Sequence, residues 1–327
     1  MAEITLIEAV RQAMDEELAR DDRVFITGED VGRRGGVFRA TLGLFDKYGP
    51  TRVIDSPLAE LSIVGIGIGA ALYGLRPICE IQFADFIHPA FNQIVNEAAK
   101  MYYRSNGEWR VPLVIRAPYG GGISGGLYHS QSVEAFFTHI PGLKVVIPSN
   151  PYDAKGLLKS AVRDPNPVLF FEPKKGYRLL KGEVPAEEYL VPLGPAKVTR
   201  AGSDLSVFAY GMMHAYCLKA AETLAAEGVD VEVVDLRTLY PVDRATILAS
   251  VTKTGKALVV YEDNLTMGYG AEIAAIIADA AFTSLDAPVR RLAAPDVPAV
   301  PFSHPYQEWF MPNPEKIAAA MRDLAAY

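Results

Sequence analysis

Glu60 is an acid at the head of a run of apolar and small residues, 61–68, with glycines five and nine positions on at Gly65 and Gly69. An acid in such surroundings loses hydration, which disfavours its charged form and raises its pKa. Glu60 is therefore a candidate proton donor. If Ser56 caps a helix that begins at Pro57, the reciprocal capping acid would fall at position 59, which is Ala59, so Glu60 needs another partner. Two plainer roles stand beside this one. An acid in a first helical turn favours the helix dipole, and glycines such as Gly65 and Gly69 allow close packing. Gly65, Gly67 and Ala70 also fit G-x-G-x-x-A, but a dinucleotide turn needs its strand directly before the first glycine, and the nearest strand-like run, 52–54, ends too early.

A second cluster is APYGGGISGGLYHSQS, with five glycines between Gly120 and Gly126 followed by His129. Such a loop lets backbone approach a ligand closely and then presents an imidazole. No Gly-Lys-Ser/Thr follows, so it is not a P-loop, and a turn-stabilising or surface His129 fits the same residues. Gln82, Asp85, Phe86 and His88 form a third cluster. There Phe86 is either a stacking face for a heteroaromatic ring or a core residue, and Gln82 is a donor to a bound polar group. Asp164, Pro165, Asn166 and Pro167 make a turn whose oxygens could also hold a hard cation.

The elements that must position these groups alternate along the chain. Strand-like runs at 24–27, 52–54, 78–83, 113–116, 145–148 and 168–171 are separated by helix-like stretches, among them 89–104 and 151–162. Before them, Thr5 and Glu8 read as a capping box for a helix with Leu6, Val10, Met14 and Leu18 on one stripe. This alternation predicts an α/β fold with a largely parallel sheet covered on both faces, and ligands in such sheets meet loops at the carboxyl ends of strands. From Glu172 to about Pro195 the pattern lapses into a charged, proline-punctuated stretch that reads as a domain boundary. The expected domains are 1–185, with its linker from about 172, and 196–327. The second has strands at 205–209, 231–235, 257–261 and 289–292 and helices at 215–227 and 271–280.

At 327 residues the chain is long enough for two full cores. A net charge of -7 argues against nucleic acid as the partner, since no basic patch is available to release phosphate counterions. The glycine-broken run closed by Arg76 and Pro77 is too short for a membrane span. Two distant cysteines, Cys79 and Cys217, suggest neither disulfide nor zinc and fit a reducing cytoplasm, as does a start without an apolar signal core.

Taken together, GEDVGRRGGVF, Glu60 with Gly65 and Gly69, EIQFADF, GGLYHSQS, KVVIPSNPYDAKGLL, RDPNPVLFFEPK and VVDLRTLYPVD resemble the β subunit of the thiamine-diphosphate-dependent 2-oxo acid dehydrogenase first component, in the transketolase-like family. The resemblance covers essentially the whole chain. It implies a pyrimidine-binding α/β domain followed by a transketolase C-terminal-like α/β domain. It also implies that Glu60 bonds the aminopyrimidine ring nitrogen of the cofactor, that Leu58, Gln82 and Phe86 line the cofactor site, and that His129 handles protons or aligns the lipoyl acceptor. Phe86 stands where branched-chain relatives often have tyrosine; it keeps the stacking face and lacks the hydroxyl. Leu113, Ala161, Asp164 and Asn166 would supply a potassium site, chiefly through carbonyl oxygens.

Thiamine enzymes hold Mg2+ and the diphosphate with Gly-Asp-Gly and a later Asn, and this chain contains no Gly-Asp-Gly. The resemblance therefore implies an α subunit carrying the metal ligands, an α2β2 heterotetramer with the cofactor between α and β, and a lipoyl-bearing dihydrolipoyl acyltransferase core. The 81–105 region looks closer to the branched-chain 2-oxo acid enzymes, with 3-methyl-2-oxobutanoate as a representative substrate. Pyruvate and acetoin dehydrogenases are the alternatives, and a nicotinamide-dependent oxidoreductase or a non-catalytic interaction subunit are the rivals of another class.

Overall fold

The computed structural model describes residues 2–327. The elements run β1 (Ala2–Thr5), α1 (Leu6–Arg20), β2 (Val24–Gly28), α2 (Leu44–Tyr48), β3 (Val53–Asp55), α3 (Glu60–Leu72) and β4 (Arg76–Glu80). They continue with α4 (Met101–Arg104), β5 (Val114–Tyr119), α5 (Glu134–Thr138), β6 (Lys144–Val146), α6 (Pro151–Arg163), β7 (Val168–Pro173), α7 (Gly176–Leu179) and β8 (Lys181–Val184). After them come β9 (Lys197–Arg200), β10 (Leu205–Ala209), α8 (Gly211–Ala225), β11 (Val231–Asp235), β12 (Thr238–Tyr240), α9 (Arg244–Thr254), β13 (Ala257–Asn264), α10 (Gly270–Ala280), β14 (Arg290–Ala294), α11 (His304–Phe310) and α12 (Pro314–Ala325). Two compact units divide the chain: residues up to Tyr119 with Phe136–Leu193, and Gly120–Ala135 with Gly194–Tyr327. Among the described residues no helix is long and apolar enough to cross a membrane.

In the first unit the strands lie in the order β6-β7-β5-β4-β2-β3, all parallel. The β-branched runs are buried along their whole length in β2, β5 and β7, as a sheet covered on both faces requires. α1 starts as its sequence predicts. The Thr5 hydroxyl accepts from the Glu8 N–H, and the Glu8 carboxylate accepts from the Thr5 N–H at 2.8 Å. Its stripe of Leu6, Val10, Met14 and Leu18 is buried in the core shared with α6. α6 begins with Pro151 directly after Asn150, whose side chain caps the helix by accepting from the Asp153 N–H.

Three local expectations change. α3 begins at Glu60 rather than Pro57, because the Ser56 hydroxyl turns onto the Pro57 carbonyl, and its N-cap is Ala59. The stretch 89–104 is not one α-helix. A 3-10 turn (His88–Ala90) leads into a π-helical turn (Gln93–Ala98), where the Ala99 N–H reaches back to the Ile94 carbonyl at 3.0 Å, and α4 follows. The widened turn allows both Ala98 and Ala99 to face the interior below Ile94. The segment from Glu172 is no linker. Glu172 lies in β7, and β8 pairs antiparallel with β1 from Ala2↔Val184 to Thr5↔Lys181, so the first unit runs on to Leu193. Charge disguised this strand because its partner is the chain's first segment.

The second unit has a sheet of order β14-β13-β10-β11-β9, parallel except for the antiparallel edge strand β9. The loop 120–135, although it follows β5 directly, groups with this unit.

Candidate functional site

Gly28, Asp55, Glu80 and Arg116 stand level across β2, β3, β4 and β5, where the strands end or open into loops. The loops beyond β2, β3 and β4 carry Glu29, Leu58 with Glu60, and Gln82 with Phe86. The loop after β2 is held down at its start. The Gly32 N–H donates to Asp55 Oδ1 at 2.6 Å, and a Cβ at Gly32 would stand 2.4 Å from the same carboxylate. Thr41 Oγ1 donates to the Val31 carbonyl at 2.7 Å and pins its far side.

Beneath these loops lies a fully buried ionic group. Arg116 donates to Glu172 through Nε at 2.7 Å and Nη2 at 2.8 Å, and to Glu80 through Nη1 at 2.7 Å. Tyr177 adds its hydroxyl to Glu172. Burial works against the Arg116 charge, but the Glu172 and Glu80 carboxylates more than offset it and the guanidinium stays charged. Burial pushes the Glu80 carboxyl up, and Arg116 restrains that rise. Glu80 also faces Gly36, where a Cβ would come within 3.0 Å of its Oε1. The network thus couples the middle of the sheet to the loop above it.

Glu60 is the first residue of α3, part-exposed rather than enclosed as its apolar neighbours suggested, because Ile63, Val64 and Ile68 pack inward while Leu58, Leu61 and Ile66, on its own side, face out. Leu58 is 71% exposed, Leu61 49% and Ile66 63%, and nothing stands within 4 Å of the place where a Cβ on Gly69 would be. Among the described residues no ion pair or side-chain hydrogen bond satisfies the Glu60 carboxyl. Its charged neighbour is another acid: the Glu29 carboxyl is pushed up by burial, by Asp30 and by Glu60. Gln82 Nε2 donates to the Glu29 carbonyl at 3.4 Å, and the part-exposed Phe86 ring packs edge-on against Phe83 at 5.5 Å. The first unit therefore gathers Leu58, Glu60, Gln82 and Phe86, together with Glu29, around adjacent strand ends.

His129 belongs to the second unit. Its loop is folded onto Glu262, which accepts the Gly121 N–H at 2.9 Å, and a Cβ on Gly120 would lie 2.7 Å from that carboxylate. Gly120 has φ 88° and Gly126 φ 66°, and a Cβ on Gly125 would stand 2.7 Å from the His129 carbonyl, so the glycines set where His129 emerges. At the loop's end Glu134 is fully buried, with Oε1 accepting the Tyr210 hydroxyl at 2.7 Å and Oε2 without a partner among the described residues. Burial, then Asp263, pushes the Glu134 carboxyl up to about 8, and burial pushes Asp263 to about 6.

Leu113, Ala161, Asp164 and Asn166 do come together, at the opposite, amino end of the sheet. The Leu113 carbonyl accepts from the Val168 N–H at 2.9 Å and the Ala161 carbonyl from the Asp164 N–H at 3.2 Å. The Asp164 carboxylate pairs with Lys144 and accepts the Asn166 N–H at 2.9 Å. Arg76 Nη1 donates to the Val162 carbonyl at 2.7 Å and to the Asp164 carbonyl at 3.4 Å. With two side-chain cations already in place, these residues do not fit an added potassium ion.

The fold is shared with a solved structure described as "Split gene transketolase, inactive beta4 tetramer", at a TM-score of 0.80 and 24% identity, covering 99% of this chain and 98% of that one. Residues 2–179 match the family model "Transketolase, pyrimidine binding domain" and residues 194–317 "Transketolase, C-terminal domain". The 2-oxoisovalerate dehydrogenase subunit beta of Bacillus subtilis is 57% identical over 327 residues, covering 100% of both chains. The chain belongs to the β subunits of the thiamine-diphosphate-dependent 2-oxo acid dehydrogenases. Two other members of the family are the pyruvate dehydrogenase E1 component subunit beta of Acholeplasma laidlawii and the 2-oxoisovalerate dehydrogenase subunit beta 2, mitochondrial, of Arabidopsis thaliana. Each is 49% identical, over 99% of this chain and over 99% and 90% of their own lengths respectively.

Within this 2-oxo acid dehydrogenase β subunit, sequence reasoning missed Glu29, the Arg116 network and the buried Glu134. Glu29 carried a signal, an acid directly after a strand that ends in glycine. Arg116 and Glu134 carried none, since their partners lie far away in sequence.

Two measurements check these assignments. Arg116→Ala leaves two carboxylates buried without their cation, and urea unfolding should show a loss of about 3–5 kcal/mol; a loss within experimental error would contradict the network. For Glu134 and Asp263 the folded pKa lies above the unfolded one, so folding takes up protons and stability falls as pH rises through the window between the two. Glu134→Gln keeps an acceptor for Tyr210 and removes the titration. Between about pH 5 and 8 its stability profile should be flatter than that of the unaltered chain by up to about 1.4 kcal/mol per pH unit. Parallel profiles would refute the assignment.

Proposed function

We propose that this chain is the β half of a cytoplasmic branched-chain 2-oxo acid dehydrogenase that acts on substrates such as 3-methyl-2-oxobutanoate, binding thiamine diphosphate jointly with an α subunit in an α2β2 heterotetramer. The observation that carries this reading is the Glu60 carboxyl, which has no partner among the described residues and sits beside an apolar surface that those residues leave uncovered. A group that will hold a ligand from another surface has this form before the partner arrives.

The residues present fit the pyrimidine half of the cofactor. Glu60 offers a carboxyl for a ring nitrogen, Phe86 an aromatic face, Gln82 an amide donor and Leu58 apolar contact. When bound, thiamine diphosphate supplies the electron sink for loss of carbon dioxide from a 2-oxo acid. This chain's part is to orient the ring and to hold or give a proton at Glu60. No Gly-Asp-Gly is present, so the ligands for Mg2+ and the diphosphate belong on the α subunit. His129, presented by a loop fixed on Glu262, is suited to handle protons as the acyl group passes to a lipoyl arm of the acyltransferase core. The face of Leu61, Gly65, Ile66 and Gly69 is the subunit contact.

Support for branched-chain substrates is comparative. Within Bacillus subtilis, the 2-oxoisovalerate subunit is 57% identical to this chain and the pyruvate subunit 48%. A methylene in an apolar pocket discriminates by only about 1–3 kcal/mol, so pyruvate is the alternative to be measured directly.

The chain co-expressed with its α subunit should reduce dye in a thiamine-diphosphate- and Mg2+-dependent way, fastest with 3-methyl-2-oxobutanoate, while the β chain alone should be inactive. Faster turnover of pyruvate or acetoin would reassign the substrate. Glu60→Ala should assemble normally and lose activity by about 10²-fold or more; full activity in the assembled variant would point to a non-catalytic subunit. His129→Ala should lose more in lipoyl-coupled turnover than in dye reduction, and equal losses would remove its role in acyl transfer.

A further inference from the structure

The cluster at the amino end of the first sheet departs from what the family resemblance implies there. α6 ends at Arg163, and its last carbonyls point out of the helix with the negative end of the helix dipole behind them. A cation is favoured at such a place, and in this chain the cation is covalently attached. Arg76, the first residue of β4, projects to the end of α6, where its Nη1 donates to the carbonyls of Val162 at 2.7 Å and Asp164 at 3.4 Å. The Arg76 side chain is 19% exposed and its Nε lies 3.9 Å from Asp21 Oδ2. Its backbone is held against the start of β2, by the Arg76 N–H to the Arg23 carbonyl at 2.9 Å within the pairing of Val24 with Arg76. Lys144, the first residue of β6, neutralises the Asp164 carboxylate in the same cluster.

We propose that the Arg76 guanidinium, with Lys144 beside it, takes the place of the monovalent cation that the resemblance implies among Leu113, Ala161, Asp164 and Asn166. The guanidinium provides the positive charge and satisfies carbonyl oxygens by hydrogen bonds instead of coordination. Being tethered, it has no association entropy to overcome and does not depend on the ionic composition of the medium. Of the residues that the resemblance implies, Asp164 carries both cations, Arg76 at its carbonyl and Lys144 at its carboxylate, so a potassium ion brought there would meet two like charges. Arg76, Val114, Lys144 and Val168 all open their strands, so the cluster lies at the end of the sheet away from Glu60, Gln82 and Phe86. Its contribution is to stability.

The inference rests on the family assignment but not on the substrate or on activity, so its failure and that of the proposed function are read separately. The test uses the purified full-length chain, with rubidium standing in for potassium in equilibrium dialysis and thermal unfolding compared in potassium chloride and choline chloride at equal ionic strength. The unaltered chain should retain no rubidium beyond the bulk level and should unfold at the same temperature in both salts. Arg76→Thr should unfold about 3 °C or more lower in choline chloride, regain most of that in potassium chloride, and bind rubidium saturably. Stoichiometric rubidium on the unaltered chain, or a midpoint raised specifically by potassium, would overturn the proposal. An equal loss for Arg76→Thr in both salts would overturn it as well, since Arg76 would then be a structural arginine with no ion site beneath it. Should Arg76→Thr fail to fold, Arg76→Met keeps the stem and takes its place, and rubidium binding by the unaltered chain decides the matter alone.

Discussion

A guanidinium buried in the middle of a parallel sheet is tolerable only if acids take up its donors, and Arg116 imposes that condition on the first unit. Glu172 takes two of its donors and Glu80 a third, which ties β5 to both of its sheet neighbours, β7 and β4. Replacing such a group with apolar residues often costs nothing in stability, so its presence calls for another explanation than strength. Position gives one. The ion pairs sit one layer below Glu29, Gln82 and Phe86, and Glu80 also meets Gly36 in the loop above. A directional network holds strand ends in one register where apolar packing alone would permit several.

The two ends of this sheet are finished in opposite ways. At the amino ends, polar groups are closed: the α6 carbonyls by Arg76, the Asp164 carboxylate by Lys144, and the Leu113 carbonyl by the Val168 N–H. At the carboxyl ends Glu60 is left without a partner among the described residues, and the apolar residues around it are left uncovered. Leaving polar and apolar groups unsatisfied together costs stability, and proteins concentrate such costs where function needs them. The asymmetry is consistent with the ligand end that the proposed function assigns to the sheet.

What could be read from the sequence follows from how local its physical cause is. The Thr5–Glu8 capping box, Pro151 after Asn150 and the buried β-branched strands are decided within a few residues, and they appear as expected. The start of α3 depended on which way the Ser56 hydroxyl turns, and the sequence does not state that. The π-turn at 93–98 answers to packing from both Ala98 and Ala99, and β8 exists only because the chain's first four described residues are free to pair with it. The site divides in the same way. Motifs singled out Glu60, Gln82 and Phe86, which lie at adjacent strand ends of the first unit, and His129, which lies in the second, whereas the burial of Glu60 was misjudged because a local apolar run says nothing of whether its faces are covered. Arg116 and Arg76 escaped altogether, since an arginine at a strand looks the same whether it meets water, two acids or the end of a helix.

The absent Gly-Asp-Gly and the open α3 face are separate observations with one consequence. If the chain binds the cofactor as proposed, the first puts half of the cofactor's ligands on another chain, and the second leaves an open surface at Leu58, Leu61 and Ile66, beside Glu60, on which that chain would lie. Gly65 and Gly69 leave room beside Leu61 and Ile66 on that face, and a second chain seated there would enclose Glu60 and take it out of water. The desolvation that the sequence suggests for Glu60 would then come from a partner surface and not from this chain's own packing.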